Sequence, residues 1–277
     1  MAADGPVTDL RDAVVVVTGG GSGIGAALCE RFAREAPRAI VVADLDGEHA
    51  AQVAARVSDA QPQVDVEAAA VDVSDEAAVA DLVASSTSRH GTIDLFCANA
   101  GIGTGAGIEA PDEVWRRIID VNLMSHVYAA RALLPAWLER GRGHLLVTAS
   151  AAGLLTNLGD APYSVTKHGA VALAEWLSVT YGDRGVTVSC LCPQGVRTPL
   201  LFPEGTSGDD PLALEVVRSQ RLLEPEDVAE VVVASLADGR FLILPHPEVA
   251  DYERARAGDR DRWLGAMRRL QARITGT

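Results

Sequence analysis

Short runs dominated by valine, isoleucine, leucine and alanine recur along the chain at Ala13 to Thr18, Ala39 to Asp44, Val64 to Val71, Ile93 to Ala98, Gly143 to Ser150, Val186 to Cys192 and Arg240 to Leu244. They predict seven strands. The runs read as continuously apolar rather than alternating, which is the pattern of strands buried on both faces of a parallel sheet. Between them lie stretches with helical periodicity at Ala26 to Ala36, Glu48 to Ser58, Glu76 to Arg89, Pro111 to Glu139 and Pro162 to Asp183, each long enough for a crossover helix. Such alternation predicts a doubly wound α/β fold, a seven-stranded parallel sheet with helices on both faces. Pro111, Pro162 and Pro225 mark helix starts, where the missing N–H is not needed and the fixed φ suits the first turn.

One segment breaks this rhythm. Val196 to Glu224 holds Pro199, Pro203, Gly205, Gly208 and Pro211 before a short helical pattern at Leu212 to Leu222, and it is expected to form a loop over the site. No repeat or linker composition divides the chain. The expectation is therefore one domain over residues 1–277, with the substrate loop inserted near 196–224 and a C-terminal helical extension near 247–277.

Composition narrows the function classes. The 277 residues are 48% apolar and 22% charged with a net charge of −14, which fits a soluble globular protein and argues against a nucleic-acid partner, whose phosphates need clustered cations. Arginines between Arg254 and Arg273 alternate with acidic and apolar residues, as on an amphipathic helix with a solvated face. Cys29, Cys97, Cys190 and Cys192 lie in apolar runs without metal-ligand spacing, so buried free thiols in a reducing cytoplasm are expected and no metal site. The start from Met1 to Asp12 carries acids rather than a basic and then apolar region, and the apolar stretch around 161–181 is interrupted by Lys167, His168 and Glu175. No targeting segment and no membrane partner are expected.

Candidate chemistry begins after the first strand, at Thr18-Gly19-Gly20-Gly21-Ser22-Gly23-Ile24-Gly25. Glycines in a strand-to-helix turn let the backbone approach a pyrophosphate and aim helix N–H groups at it. Asp44 ends the second strand 19 residues after Gly25, where a carboxylate accepts hydrogen bonds from the adenosine ribose hydroxyls and repels a 2′-phosphate. That favours NAD over NADP, and Asp46 is a rival for the same role. Tyr163 and Lys167 are four apart on a predicted helix and share one face, so the ammonium can sit close to the phenol and favour its ionised form. Ser150, thirteen residues earlier at a strand end, can orient a substrate oxygen against Tyr163 as general acid and base. Lys167 is also the only lysine among 24 basic residues.

The spacing Thr-Gly-x-x-x-Gly-x-Gly, with Ser150 and Tyr163-Ser164-Val165-Thr166-Lys167, resembles the short-chain dehydrogenase/reductase family of the compact single-domain, Rossmann-fold type over nearly the whole chain. The resemblance implies that Asp72 and Val73 lie near the adenine, that Asn99, Ala100 and Gly101 steady the sheet and line the cofactor cleft, and that Asn122 is a catalytic asparagine whose backbone holds a water on a proton path from Lys167. It implies that Gly195, Val196 and Thr198 reach the nicotinamide amide, and that copies pair as dimers or tetramers through Pro111 to Glu139 and Pro162 to Asp183. Two departures stand out. Gln194 follows Pro193 where the family usually has glycine, and His246-Pro247-Glu248 replaces a glycine-rich closing segment.

The expected function is an NAD-dependent interconversion of a secondary alcohol and a ketone. An NADPH-dependent carbonyl or ketoacyl reductase is the rival on the same fold, and a dinucleotide-sensing protein without turnover is the rival of another class. Each residue also has a structural alternative: a plain turn at the glycines, a strand-end aspartate at Asp44, a helix cap at Ser150, a buried helix amide at Asn122, a core aromatic at Tyr163, and packing at His168. Substrate choice should come from Ile102 to Ala110, Ala151 to Ala161 and Val196 to Glu224, where Leu154, Leu155, Leu158, Leu200, Leu201 and Phe202 favour a lipophilic, steroid-like or fatty small molecule.

Overall fold

A computed structural model describes residues 9–202 and 222–276. Seven strands form one parallel sheet: β1 (Val14–Thr18), β2 (Ala39–Asp44), β3 (Asp65–Ala70), β4 (Leu95–Ala98), β5 (Gly143–Thr148), β6 (Val186–Leu191) and β7 (Leu242–Ile243). Their order is β3-β2-β1-β4-β5-β6-β7, and every neighbouring pair runs parallel. The seven predicted strands are all present in the doubly wound arrangement. Strand order reverses between β1 and β4, so a crevice opens beyond the C-terminal ends of those two strands.

Burial explains the apolar runs. Val14 and Val16 pack into the core on one face of the sheet while Val15 and Val17 pack into the core on the other. The helices that cover these faces are α1 (Gly23–Ala33), α2 (Gly47–Ala60), α3 (Glu76–His90), α4 (Asp112–Ile119), α5 (Ser125–Arg140), α6 (Ala151–Leu154), α7 (Ala161–Tyr181) and α8 (Pro225–Ala237). β3 departs from the expected pattern: as the edge strand it has no fully buried residue, because only one of its sides has a strand neighbour and its faces are incompletely covered. β7 is shorter than its apolar run, with two paired residues beside β6.

Other boundaries need correction. Pro111 to Glu139 is not one regular helix, because a π-helical turn at Asp120–Met124 separates α4 from α5. The Ser125 hydroxyl donates to the Val121 carbonyl (2.6 Å), satisfying an acceptor within the widened turn. The first crossover helix runs three residues earlier than expected, ending before Ala36, whose φ of 55° is incompatible with helix. The extension is two helices, α9 (Val249–Gly258) and α10 (Arg260–Thr275), broken at Asp259, whose carboxylate caps α10 by accepting from the Arg262 N–H (2.9 Å). The short helical pattern at 212–222 and most of the loop at 196–224 lie outside the described residues. Among those described, no helix is long and apolar enough to cross a membrane.

At the opposite end of the sheet from the crevice, buried Asp94 accepts from the Val14 N–H (2.8 Å) and from Arg140 of α5 (3.0 Å). Removing that carboxylate leaves two donors unmatched, so Asp94→Ala should cost about 2–3 kcal/mol. Urea unfolding is the measurement, with Asp94→Asn expected to lose less; an unchanged midpoint for Asp94→Ala would show that this anchor contributes nothing.

Candidate active site

The predicted site residues converge on the C-terminal edge of the sheet. Gly19, Gly21, Ser22, Gly23 and Ile24 form the turn from β1 into α1. At Gly19, φ is +64° and an added Cβ would lie 2.8 Å from the Ala100 Cα; at Gly25 it would overlap the Gly19 carbonyl oxygen. Only glycine lets this turn close so tightly. Ser22 occupies the N-cap position but makes no side-chain cap bond, and α1 has no acid in its first turn. Among the described residues the leading N–H groups of α1 thus lack a side-chain acceptor, the condition for receiving an anion.

Asp44 accepts from the Gly21 N–H (2.9 Å) and the Asp46 N–H (3.0 Å), which fixes its carboxylate beside the glycine turn. Asp46 has a different task. It caps α2 by accepting from the Glu48 and His49 N–H groups (2.9 and 3.1 Å), and those bonds hold its carboxyl below the ordinary range. Asp72 is engaged by Ser74, whose hydroxyl (2.7 Å) and N–H (3.0 Å) lower its carboxyl with help from Arg117, while neighbouring Val73 is buried.

Asn99 joins three strand ends. Its amide donates to the Thr18 carbonyl (3.1 Å), and its oxygen accepts from the Thr148 hydroxyl (3.1 Å). The Thr18 hydroxyl accepts in turn from the N–H groups of Asn99 (3.0 Å) and Ala100 (3.3 Å). Next along, Asn122 in the π turn clamps Ile102 through two bonds of 2.8 Å, one to its N–H and one to its carbonyl. A Cβ placed on Gly101 would lie 3.4 Å from both Asn122 Oδ1 and Lys167 Nζ, so Gly101 lies against both side chains.

Ser150 follows β5 and caps α6 by accepting from the Ala152 N–H (3.1 Å); its hydroxyl also donates weakly to the Pro193 carbonyl (3.4 Å). Ser150 also acts on the phenol of half-buried Tyr163, favouring its ionised form. Lys167, one turn on along α7, places Nζ 5.6 Å from the Tyr163 ring centroid and donates to the Thr148 carbonyl (2.9 Å). The turn after β6 closes the set. Gly195 accepts from the Leu223 N–H (3.1 Å), Val196 bridges to Leu223, and the Thr198 side chain lies against Gly23.

A nicotinamide dinucleotide fits these residues. The α1 turn offers N–H groups to a pyrophosphate, the Asp44 carboxylate is fixed beside that turn, and Gln194 Oε1 is buried with no hydrogen-bond partner among the described residues.

The sequence profile of short chain dehydrogenases matches residues 13–206. The chain belongs to the short-chain dehydrogenase family. A 1-deoxy-11-beta-hydroxypentalenate dehydrogenase from Streptomyces exfoliatus is 36% identical over 247 residues, 86% of this chain and 85% of the relative. A short-chain dehydrogenase from Burkholderia phymatum, solved in complex with NAD, superposes with a TM-score of 0.81 at 30% identity over 91% of this chain and 95% of its own. One from Sphingobium yanoikuyae, solved with NADPH, has a TM-score of 0.77 at 24% identity over the same shares.

Two features of this short-chain dehydrogenase were not anticipated. Asp160 caps α7 at the Tyr163 N–H (3.0 Å) and accepts from Thr104 through its N–H and hydroxyl (2.7 Å each) and from the Gly105 N–H (2.8 Å), tying the loop after β4 to the Tyr163 helix. Asp160-Ala161-Pro162 is a helix-start pattern and carried the signal. The second feature is electrostatic. Burial pushes the phenol of Tyr163 up to about 12, against the Ser150 hydrogen bond, which lowers it, while the negative charge of Asp160 adds to the rise. Desolvation of the phenolate is the largest influence on this group, ahead of the lowering by Ser150. Burial also brings the Lys167 ammonium down to about 8.

Between that value and the ordinary 10.5 the unfolded chain binds more protons at Lys167 than the folded one, so this group makes stability rise with pH over the interval. Thermal unfolding of the wild type should accordingly gain on Lys167→Met from pH 8 to pH 10. A constant difference over that range would contradict the lowered ammonium.

Proposed function

We propose that the protein interconverts a secondary alcohol and a ketone on a lipophilic substrate with NAD, using Tyr163 as general acid and base within one catalytic domain. The observation that carries this reading is the grouping of the Ser150 hydroxyl, the Tyr163 phenol and the Lys167 ammonium at the edge of the crevice. Ser150 orients the substrate oxygen. Tyr163, protonated at neutral pH with its phenol near 12, delivers a proton to a ketone oxygen in reduction and receives one from the alcohol in oxidation. When bound, a nicotinamide dinucleotide would supply the hydride acceptor or donor and, in its oxidised form, a positive charge that favours the phenolate. Lys167 would hold the nicotinamide ribose and keeps a cation near the phenol, while the Asn122 backbone would hold a water on the proton path from Lys167.

Asp44 supports NAD over NADP, since a fixed carboxylate at the ribose repels a 2′-phosphate and neither Ser22 nor Leu45 offers a compensating cation. A lipophilic substrate is supported by exposed Leu200 and by half-buried Leu158, Leu201 and Phe202. Leu200 approaches the loop after β4 near Gly103. Leu154 leaves this set, because it is buried in the core against the sheet. The Streptomyces relative, named for a hydroxypentalenate substrate, adds to the same reading.

A screen of secondary alcohols with NAD, read by NADH absorbance, should find turnover. Tyr163→Phe should then lower kcat by about 10²–10⁴-fold while NADH binding changes little; near-normal activity would remove Tyr163 from the role. Fluorescence titration should show NADH bound at least about tenfold more tightly than NADPH, with Asp44→Ala narrowing the gap. Tighter NADPH binding would overturn the reading of Asp44.

A further inference from the structure

The two departures from the family pattern meet in space. Gln194, which stands where glycine is usual, donates its backbone N–H to Nδ1 of His246 (3.2 Å), which stands where the closing segment is usually glycine-rich. His246 is buried and sits between β7 and α9. The rest of the turn is also held: the Pro193 carbonyl accepts from the Ala151 N–H (2.8 Å) and the Gly195 carbonyl from the Leu223 N–H (3.1 Å). With its backbone pinned on both sides, Gln194 has a side-chain oxygen that is buried and unpartnered among the described residues.

A buried acceptor without a donor is unfavourable, and the imbalance is removed when a ligand brings the donor. The turn that holds Gln194 runs from Ser150 at one end to Gly23 at the other, through the Pro193 carbonyl and Thr198. A dinucleotide laid between those points carries one amide donor at its catalytic end. We propose that the Gln194 side chain accepts a hydrogen bond from the carboxamide of the nicotinamide, and that His246 is the positioning residue that holds Gln194 for it. The segment after β7 thereby becomes a working part of the cofactor seat. This rests on the dinucleotide reading of the site given above.

The test compares binding of NADH, followed by its fluorescence, with binding of ADP-ribose, which lacks the nicotinamide, followed by calorimetry. Gln194→Met keeps the length of the side chain and removes the acceptor. It should weaken NADH about tenfold and leave ADP-ribose within twofold of wild type. Gln194→Gly, which removes the side chain altogether, should do the same. His246→Ala should weaken NADH selectively, and His246→Asn, whose Oδ1 can take the place of Nδ1, should restore it. Unchanged NADH binding by both Gln194 variants, or equal loss of NADH and ADP-ribose, overturns the proposal alone. Wild-type protein that binds neither molecule overturns the dinucleotide reading and this proposal with it.

Discussion

The Asn99 side chain holds the crevice in shape. Parallel strands end with unpaired backbone groups, and at the point where strand order reverses no neighbouring strand is available to take them. Here Asn99 donates to the carbonyl at the end of β1 and accepts from the Thr148 hydroxyl at the end of β5, while sitting at the end of β4 itself. Three strand ends are thus bound into one surface by a single amide. The Thr148 carbonyl, on the same residue, receives the ammonium of Lys167 (2.9 Å). The position of the Lys167–Tyr163 pair on α7 is therefore referred directly to the sheet, and the glycine turn is referred to it through Thr18.

That arrangement explains why one lysine persists in a chain that otherwise uses arginine. The ammonium is buried, donates to one carbonyl and still has protons to offer in other directions. A guanidinium is a wide planar fork that stays charged at all accessible pH, and it would not fit between Thr148, Gly101 and the Tyr163 ring. A compact ammonium does fit, and burial brings its proton affinity down to about 8. The buried neighbour His126 is held neutral, at about 3, by burial and by the charge of Lys167, so it adds no second cation to this region.

Most of the fold was legible because its information is local. Apolar runs at β1, β2 and β5 are buried on both faces, and the Tyr163–Lys167 spacing places two groups on one helical face. Less local properties were not legible. The exposure of β3 depends on its place at the sheet edge, which its own residues do not encode. The π turn at Asn122 depends on a clamp to Ile102, twenty residues away, and the burial of Leu154 depends on how α6 meets the sheet. The upward push of burial on the Tyr163 phenol was not legible either, because spacing reveals a nearby cation whereas desolvation follows only from the packed surroundings. Asp160 was legible in principle as a helix cap, but its hold on Thr104 and Gly105 required the loop after β4 to return to the start of α7.

The C-terminal extension and the residue just ahead of it touch α7 and the turn after β6 at two separate places. His246 meets the turn after β6, and Arg256 of α9 meets His168, the residue after Lys167 on α7. At His168 the geometry settles the tautomer: Nδ1 lies 2.8 Å from the Ser164 carbonyl, which can only accept, so Nδ1 carries the proton and Nε2 accepts from Arg256 (3.3 Å). The Arg256 guanidinium also lies over the Trp263 ring (5.6 Å to its centroid), linking α9 to α10. A helical segment carrying several of the chain's arginines is thus fastened by a directional bond to the histidine beside Lys167, and the residue just ahead of the extension is bonded to the turn after β6. Specific bonds of this kind fix orientation, which an apolar contact of the same size would leave free to slide. The extension therefore contacts α7 through Arg256 and His168, while His246, just ahead of it, orients the turn at Gln194.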